Sequence, residues 1–88
     1  MKEERRETPQ KIRIGDIIEN LHASETNPLR RSIIVAKQGE YAKFCCTNKD
    51  GIFTGSYYLR DLKYDQSFNV VGHVDLHKVL TELINKED

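Results

Sequence analysis

Residues 31–58 constrain this chain more than any other part of it. They read RSIIVAK, QGE, YAKFCCT, NKDG and IFTGSYY in order, three runs rich in Ile, Val, Phe, Tyr and Thr with a turn signal between each and the next. β-Branched and aromatic side chains suit a pleated, half-buried surface, and short connections containing glycine join antiparallel neighbours. The pattern predicts a three-stranded antiparallel meander. Gly39 and Gly51 can supply the positive φ of tight hairpin turns, and Asp50-Gly51 is the stronger of the two signals. Side chains alternate across a strand. In the middle run this puts Ala42, Phe44 and Cys46 on one face and Tyr41, Lys43 and Cys45 on the other, and the lysine assigns the second face to water. In the third run Phe53, Gly55, Tyr57 and Leu59 form the core-facing set. A glycine in mid-strand packs nothing, so Gly55 is expected to mark a bulge or a bend.

The flanking segments extend this sheet. Residues 11–21, KIRIGDIIENL, read as a half-buried strand in which Ile12 and Ile14 alternate with Lys11 and Arg13. Gly15-Asp16 breaks or bends it, and Ile17-Ile18 resume it. A helix starting at Asp16 is the alternative, although an isolated helix of that length is marginal. Residues 22–30, HASETNPLR, are a loop, longer than the ~2–5 residues of a hairpin connection. Residues 59–67 read as a loop with a helical turn, and residues 68–72, FNVVG, as a last short strand. Leu76, Val79, Leu80, Leu83 and Ile84 follow the spacing of an amphipathic helix over about residues 75–86, with Asp75 as N-cap. Residues 1–10, MKEERRETPQ, are almost free of apolar side chains and read as a disordered charged tail. The expected architecture is a single domain over residues 11–88, mainly β (α+β). It is a curled five-stranded antiparallel sheet or SH3-like barrel, with the C-terminal α-helix covering one open end or face.

Composition removes several function classes. Fourteen basic and fourteen acidic side chains cancel, so the chain as a whole is not a polycation built for nucleic acid. Its two cysteines, Cys45 and Cys46, are adjacent and point to opposite faces of a strand, where a mutual disulfide would be strained. Free thiols fit a reducing, cytoplasmic setting. No apolar stretch follows the charged first residues as a secretory leader requires, and no run approaches the ~20 residues of a membrane helix.

Chemistry on the chain is sparse. His73 and His77 are four apart, but the cap at Asp75 places His73 ahead of the helix, and there is no paired-cysteine motif. Neither a metal nor another cofactor is expected. Cys45 and Cys46 lie mid-strand, away from the helix N-terminus or cationic cluster that activates a thiol, so no catalytic residue is assigned. The residues that suit recognition are Tyr57, Tyr58, Arg60, Lys63 and Tyr64, which interleave aromatics with cations, and Arg30 and Arg31, which close the long loop. Tyrosine and arginine anchor protein interfaces, and the loops at 22–31 and 59–66 can flank a protein-binding edge. The same residue types stack on bases and hold phosphates, which gives a nucleic-acid alternative; Asp61 and Asp65 within the patch oppose it. The plainer reading of these side chains is half-buried tyrosines with wet hydroxyls and solvated arginines. The terminal helix offers a route to a homodimer, and a monomer is the other option.

Two stretches resemble the YopX-like proteins of phages: the opening Ile14-Gly15-Asp16-Ile17-Ile18, and Phe68-Asn69-Val70-Val71-Gly72-His73-Val74 followed by Leu76. His73 stands where that family usually has asparagine, and the central meander carries no matching motif. The resemblance implies a small non-catalytic protein of a phage or mobile element that engages a host protein, with inhibition of a host defence or regulatory complex as one form of that role.

Overall fold

A computed structural model describes residues 5–86. The meander forms as expected: β2 spans Arg31–Gln38, β3 spans Tyr41–Asn48 and β4 spans Gly51–Tyr58, each antiparallel to the next. Gly39 and Gly51 both have positive φ at the two turns. At the second turn the Asn48 side chain accepts hydrogen bonds from the amides of Asp50 and Gly51 at 2.7 and 3.1 Å. Ala42, Phe44 and Cys46 are buried, and Cys45 lies on the opposite face with a free thiol.

Before the meander comes β1, Asp16–Asn20; after it come α1, Leu59–Tyr64, then β5, Phe68–His73, and α2, Leu76–Ile84. A single 3-10 turn, Pro28–Arg30, ends the long loop, with Asn27 capping it. All five strands form one antiparallel sheet in the order β4-β3-β2-β1-β5. The sheet is not closed into a barrel. Register slips between Ile17 and Ile18 and between Ile34 and Ala36, and extra residues at such points increase local twist. α1 lies between the two edges, touching both β4 and β5, and drops Leu62 into the core, fully buried. The core is small: Ile12, Ile18, Ile34, Ala42, Phe44, Cys46, Leu62 and Phe68, with Tyr57, Leu59 and Val70 packed against it.

Four expectations are corrected. Gly55 introduces no bulge, because β3 and β4 stay in register past it. Its missing side chain serves packing instead: a Cβ there would stand 2.6 Å from Cζ of Phe44. The first strand begins at Asp16 rather than Lys11, and Ile12 and Ile14 do not share a face, since Ile12 is buried and Ile14 exposed. The cause is a turn over residues 13–16, closed by the Asp16 amide on the Arg13 carbonyl at 3.0 Å, which takes in Ile14 and Gly15, the glycine with a φ of +97°. Residues 5–10 are not a free tail. The Arg6 guanidinium donates to the carbonyls of Asp65 and Phe68 and to Asn69 Oδ1 at 2.7–2.8 Å, and Gln10 bonds Leu62, Phe68 and Val70. Residues 1–4 of the expected tail lie outside the described residues. Finally, α2 forms with Asp75 as its N-cap, but none of its residues is buried, so it does not plug the sheet.

Candidate functional site

The seven residues singled out for recognition separate into three places. Tyr57 is on the core face, as alternation required. Its ring stacks on Phe44 at 4.4 Å and meets Phe68 at 5.0 Å, and its hydroxyl accepts from Asn20 at 3.3 Å. Burial raises the pKa of that hydroxyl, a push that the hydrogen bond from Asn20 only partly offsets. Arg30 is half-buried and braces the long loop, bonding the Ala23 carbonyl at 3.0 Å and Glu19 at 3.4 Å. Arg31 is exposed and pairs with the same carboxylate at 3.1 Å.

The other four, Tyr58, Arg60, Lys63 and Tyr64, come together. With Gly39, Glu40 and Leu59 they line an open cleft of about 340 Å³ at the end of β4. Tyr58 is the last residue of β4, and α1 starts immediately after it, so the helical turn carries Arg60, Lys63 and Tyr64 past the mouth. The Leu59 amide bonds the Glu40 carbonyl at 2.8 Å, tying α1 to the β2–β3 turn. Arg31 and this cleft sit at opposite ends of β2, about 23 Å apart at the rise of a strand, so one small ligand cannot touch both.

Sequence reasoning missed Tyr41 and Lys37. Tyr41 faces Tyr58 across the β3–β4 pair with ring centroids 4.9 Å apart, and a hydrogen bond with Tyr58 holds the Tyr41 hydroxyl pKa above its ordinary value. Lys37 joins Lys11, Arg13 and Lys63 around a second cleft of about 280 Å³. Lys63 therefore lines both clefts. Alternation alone placed Tyr41 outward, but only the pairing register shows that its ring lies beside that of Tyr58.

Two aspartate–histidine pairs lie elsewhere. His73 Nδ1 is 2.7 Å from Oδ1 of the buried Asp16, which also takes the Arg13 amide at 2.8 Å and its guanidinium at 3.2 Å. His22 Nε2 is 3.0 Å from Asp65 Oδ2. Burial pushes the Asp65 carboxyl up, but hydrogen bonds from His22 and the Ser67 amide outweigh it, and its pKa falls below the ordinary carboxylate value. Both pairs tie distant segments together. Neither imidazole has a Ser, Thr or Cys hydrogen-bonded to it among the described residues, and no group of three or more His, Cys, Asp or Glu among them is placed to hold a metal ion.

The remaining feature is β4 itself. It is an edge strand eight residues long, paired only with β3 among the described residues, and its sequence GIFTGSYY contains no charge and no proline. Natural sheets usually blunt such an edge with lysine, proline or a bulge. No described helix is long and apolar enough to cross a membrane. Comparison with protein-family models, with curated proteins and with solved structures found no match.

Proposed function

We propose that this chain is a non-catalytic protein-binding module that adds an extended, acidic-ended segment of its partner to the β4 edge. The carrying observation is the undefended edge running directly into a cleft with two cations. Main-chain hydrogen bonds to β4 would give affinity. Arg60 and Lys63, set against the lone acid Glu40, would favour a carboxylate where the strand ends. The strand order, with a helical segment between β4 and β5, supports kinship with SH3-like barrels. The resemblance to YopX-like phage proteins makes a host protein the expected partner.

Capture from a host lysate tests this with two variants. Thr54→Pro removes a backbone donor on the exposed strand, and Arg60→Ala with Lys63→Ala empties the cleft of charge. Both should lose proteins that the unaltered chain retains, while circular dichroism stays the same. Equal capture by either variant removes the reading. Arg30 is unsuitable for such a test, because its replacement would loosen the long loop.

The shared position of Lys63 favours a second reading. Arg60, Lys63, Lys37, Lys11 and Arg13 line two adjoining clefts, with Tyr41, Tyr58 and Tyr64 beside them, a layout that suits a single nucleic-acid strand. Fluorescence anisotropy with labelled oligonucleotides separates the readings. Nucleic-acid binding must weaken steeply as salt rises, and no salt-sensitive binding excludes it.

A further inference from the structure

The outer face of the sheet carries one apolar patch. Ile33 and Val35 of β2, Cys45 of β3 and Ile52 of β4 line it, with Ile14 from the preceding turn. The first turns of α2 stand over this face with Leu76 and Leu80, leaving an open groove of about 490 Å³. The rest of α2 projects beyond the groove. Leu83 and Ile84 are 65% and 77% exposed, and Ile52 on the sheet is 72% exposed. The molecule measures 57 × 29 × 21 Å, with a radius of gyration of 14.3 Å. A chain of this length usually packs to roughly 12 Å.

A nine-residue helix with an uncovered apolar stripe is not stable by itself in water. Something must cover it. A lipid surface fits poorly: the polar side of α2 carries Asp75 and Glu82 against Lys78, with Lys86 just beyond, whereas membrane-surface helices are strongly basic there. Residues 1–4 and 87–88 read MKEE and ED, too charged to serve as a cover.

We infer that a second copy of this chain covers it, in a two-fold dimer whose α2 helices run antiparallel, each placing Leu83 and Ile84 in the groove of the other. The chain carries both halves of such a contact side by side, a concave apolar groove and a projecting apolar knob, and an isologous pair uses each twice. Net charge is zero, so two copies do not repel each other strongly. Ile14, Ile52, Val79, Leu80, Leu83 and Ile84 together would bury on the order of 500 Å² per copy, about 1,000 Å² in all, which reaches the lower limit for a specific interface. This surface is separate from the cleft at Tyr58 and leaves the backbone edge of β4 open.

Sedimentation velocity on the full chain reads the outcome. The unaltered protein should sediment at twice 10.2 kDa at high concentration and dissociate on dilution. Leu83→Glu with Ile84→Glu on the knob, and independently Ile52→Lys on the groove, should each raise the dissociation constant at least ~10-fold, as loss of a central apolar contact does. All three positions are exposed, so an unchanged circular dichroism spectrum shows that folding is retained. In a second measurement, mild oxidation of the Leu83→Cys variant should join the new thiol to Cys45 of the other copy, giving a dimer on a non-reducing gel. A monomer at every concentration overturns the inference. A cross-link within one chain would then show that α2 folds onto its own sheet, and no cross-link would leave the face to a different protein. A dimer unaffected by these substitutions overturns it as well.

Discussion

A Cβ at position 15 has nowhere to go. It would run into the Val74 carbonyl oxygen, on a residue whose φ of +97° already disfavours any side chain. The close approach is needed because the Val74 amide bonds the Gly15 carbonyl at 2.8 Å while the Gly15 amide bonds Ile34 at 2.7 Å. Gly15→Ala should therefore cost more than ~2 kcal/mol in urea denaturation, by strain and clash together. Gly55→Ala meets only the Phe44 ring, but that ring is clamped against Tyr57, so a cost of ~1–3 kcal/mol is expected from overpacking. The reverse order of severity would show that the backbone contact at Val74 is not a constraint. Asp65 belongs to the same scale. Its pKa lies below the ordinary 3.8, so the folded chain holds its proton less tightly than the unfolded chain. The stabilisation is complete above that ordinary value and is lost as pH falls through the lower folded value. Asp65→Asn should be less stable at pH 7 and should flatten the loss of stability between pH 5 and pH 2, measured as denaturation midpoints. An acid limb as steep as that of the unaltered chain would remove Asp65 as its source.

At the scale of elements, the meander was legible because its determinants are local: alternation within each run and a glycine at each turn. The ends were not, because their determinants are distant. Ile12 and Ile14 alternate with charged residues just as a strand would, yet the chain turns at Gly15 to meet Val74, a contact that no local pattern records. The charged segment at residues 5–10 looked unable to order itself, and by burial alone it could not. Its order comes from polar partners: the guanidinium of Arg6 satisfies two carbonyls beside α1 and β5, and Gln10 bridges the same two elements. Arg6→Ala should leave those groups short of donors and cost ~1–3 kcal/mol. Amide exchange should quicken in β5 and leave β3 unchanged. Equal acceleration in both strands would mean that the segment supports the whole fold rather than this corner. The candidate site divides in the same way. Tyr58, Arg60, Lys63 and Tyr64 are neighbours in sequence, so their clustering could be read directly. The separation of Arg30 and Arg31 from them depends on the length and direction of β2, and the edge position of β4 depends on the order of all five strands.

At the scale of the whole molecule, α2 is the element whose removal discriminates best. The core contains no side chain from it, and the sheet, α1 and the segment at residues 5–10 are joined without it. A chain ending at Val74 should thus keep cooperative unfolding, with a free energy within ~1 kcal/mol of the full chain at concentrations where both are monomeric, since surface changes away from packed features have small effects. What truncation should remove is the dependence on concentration. A dimer adds stability by mass action, so the midpoint of the full chain should climb with protein concentration and that of the truncated chain should not. Losing α2 also uncovers Ile14, Ile33 and Val35, so the truncated chain should precipitate sooner on standing. If truncation instead abolished cooperative unfolding in dilute solution, α2 would be holding the sheet of its own chain together, and its exposed stripe would have to close inward rather than toward a second copy.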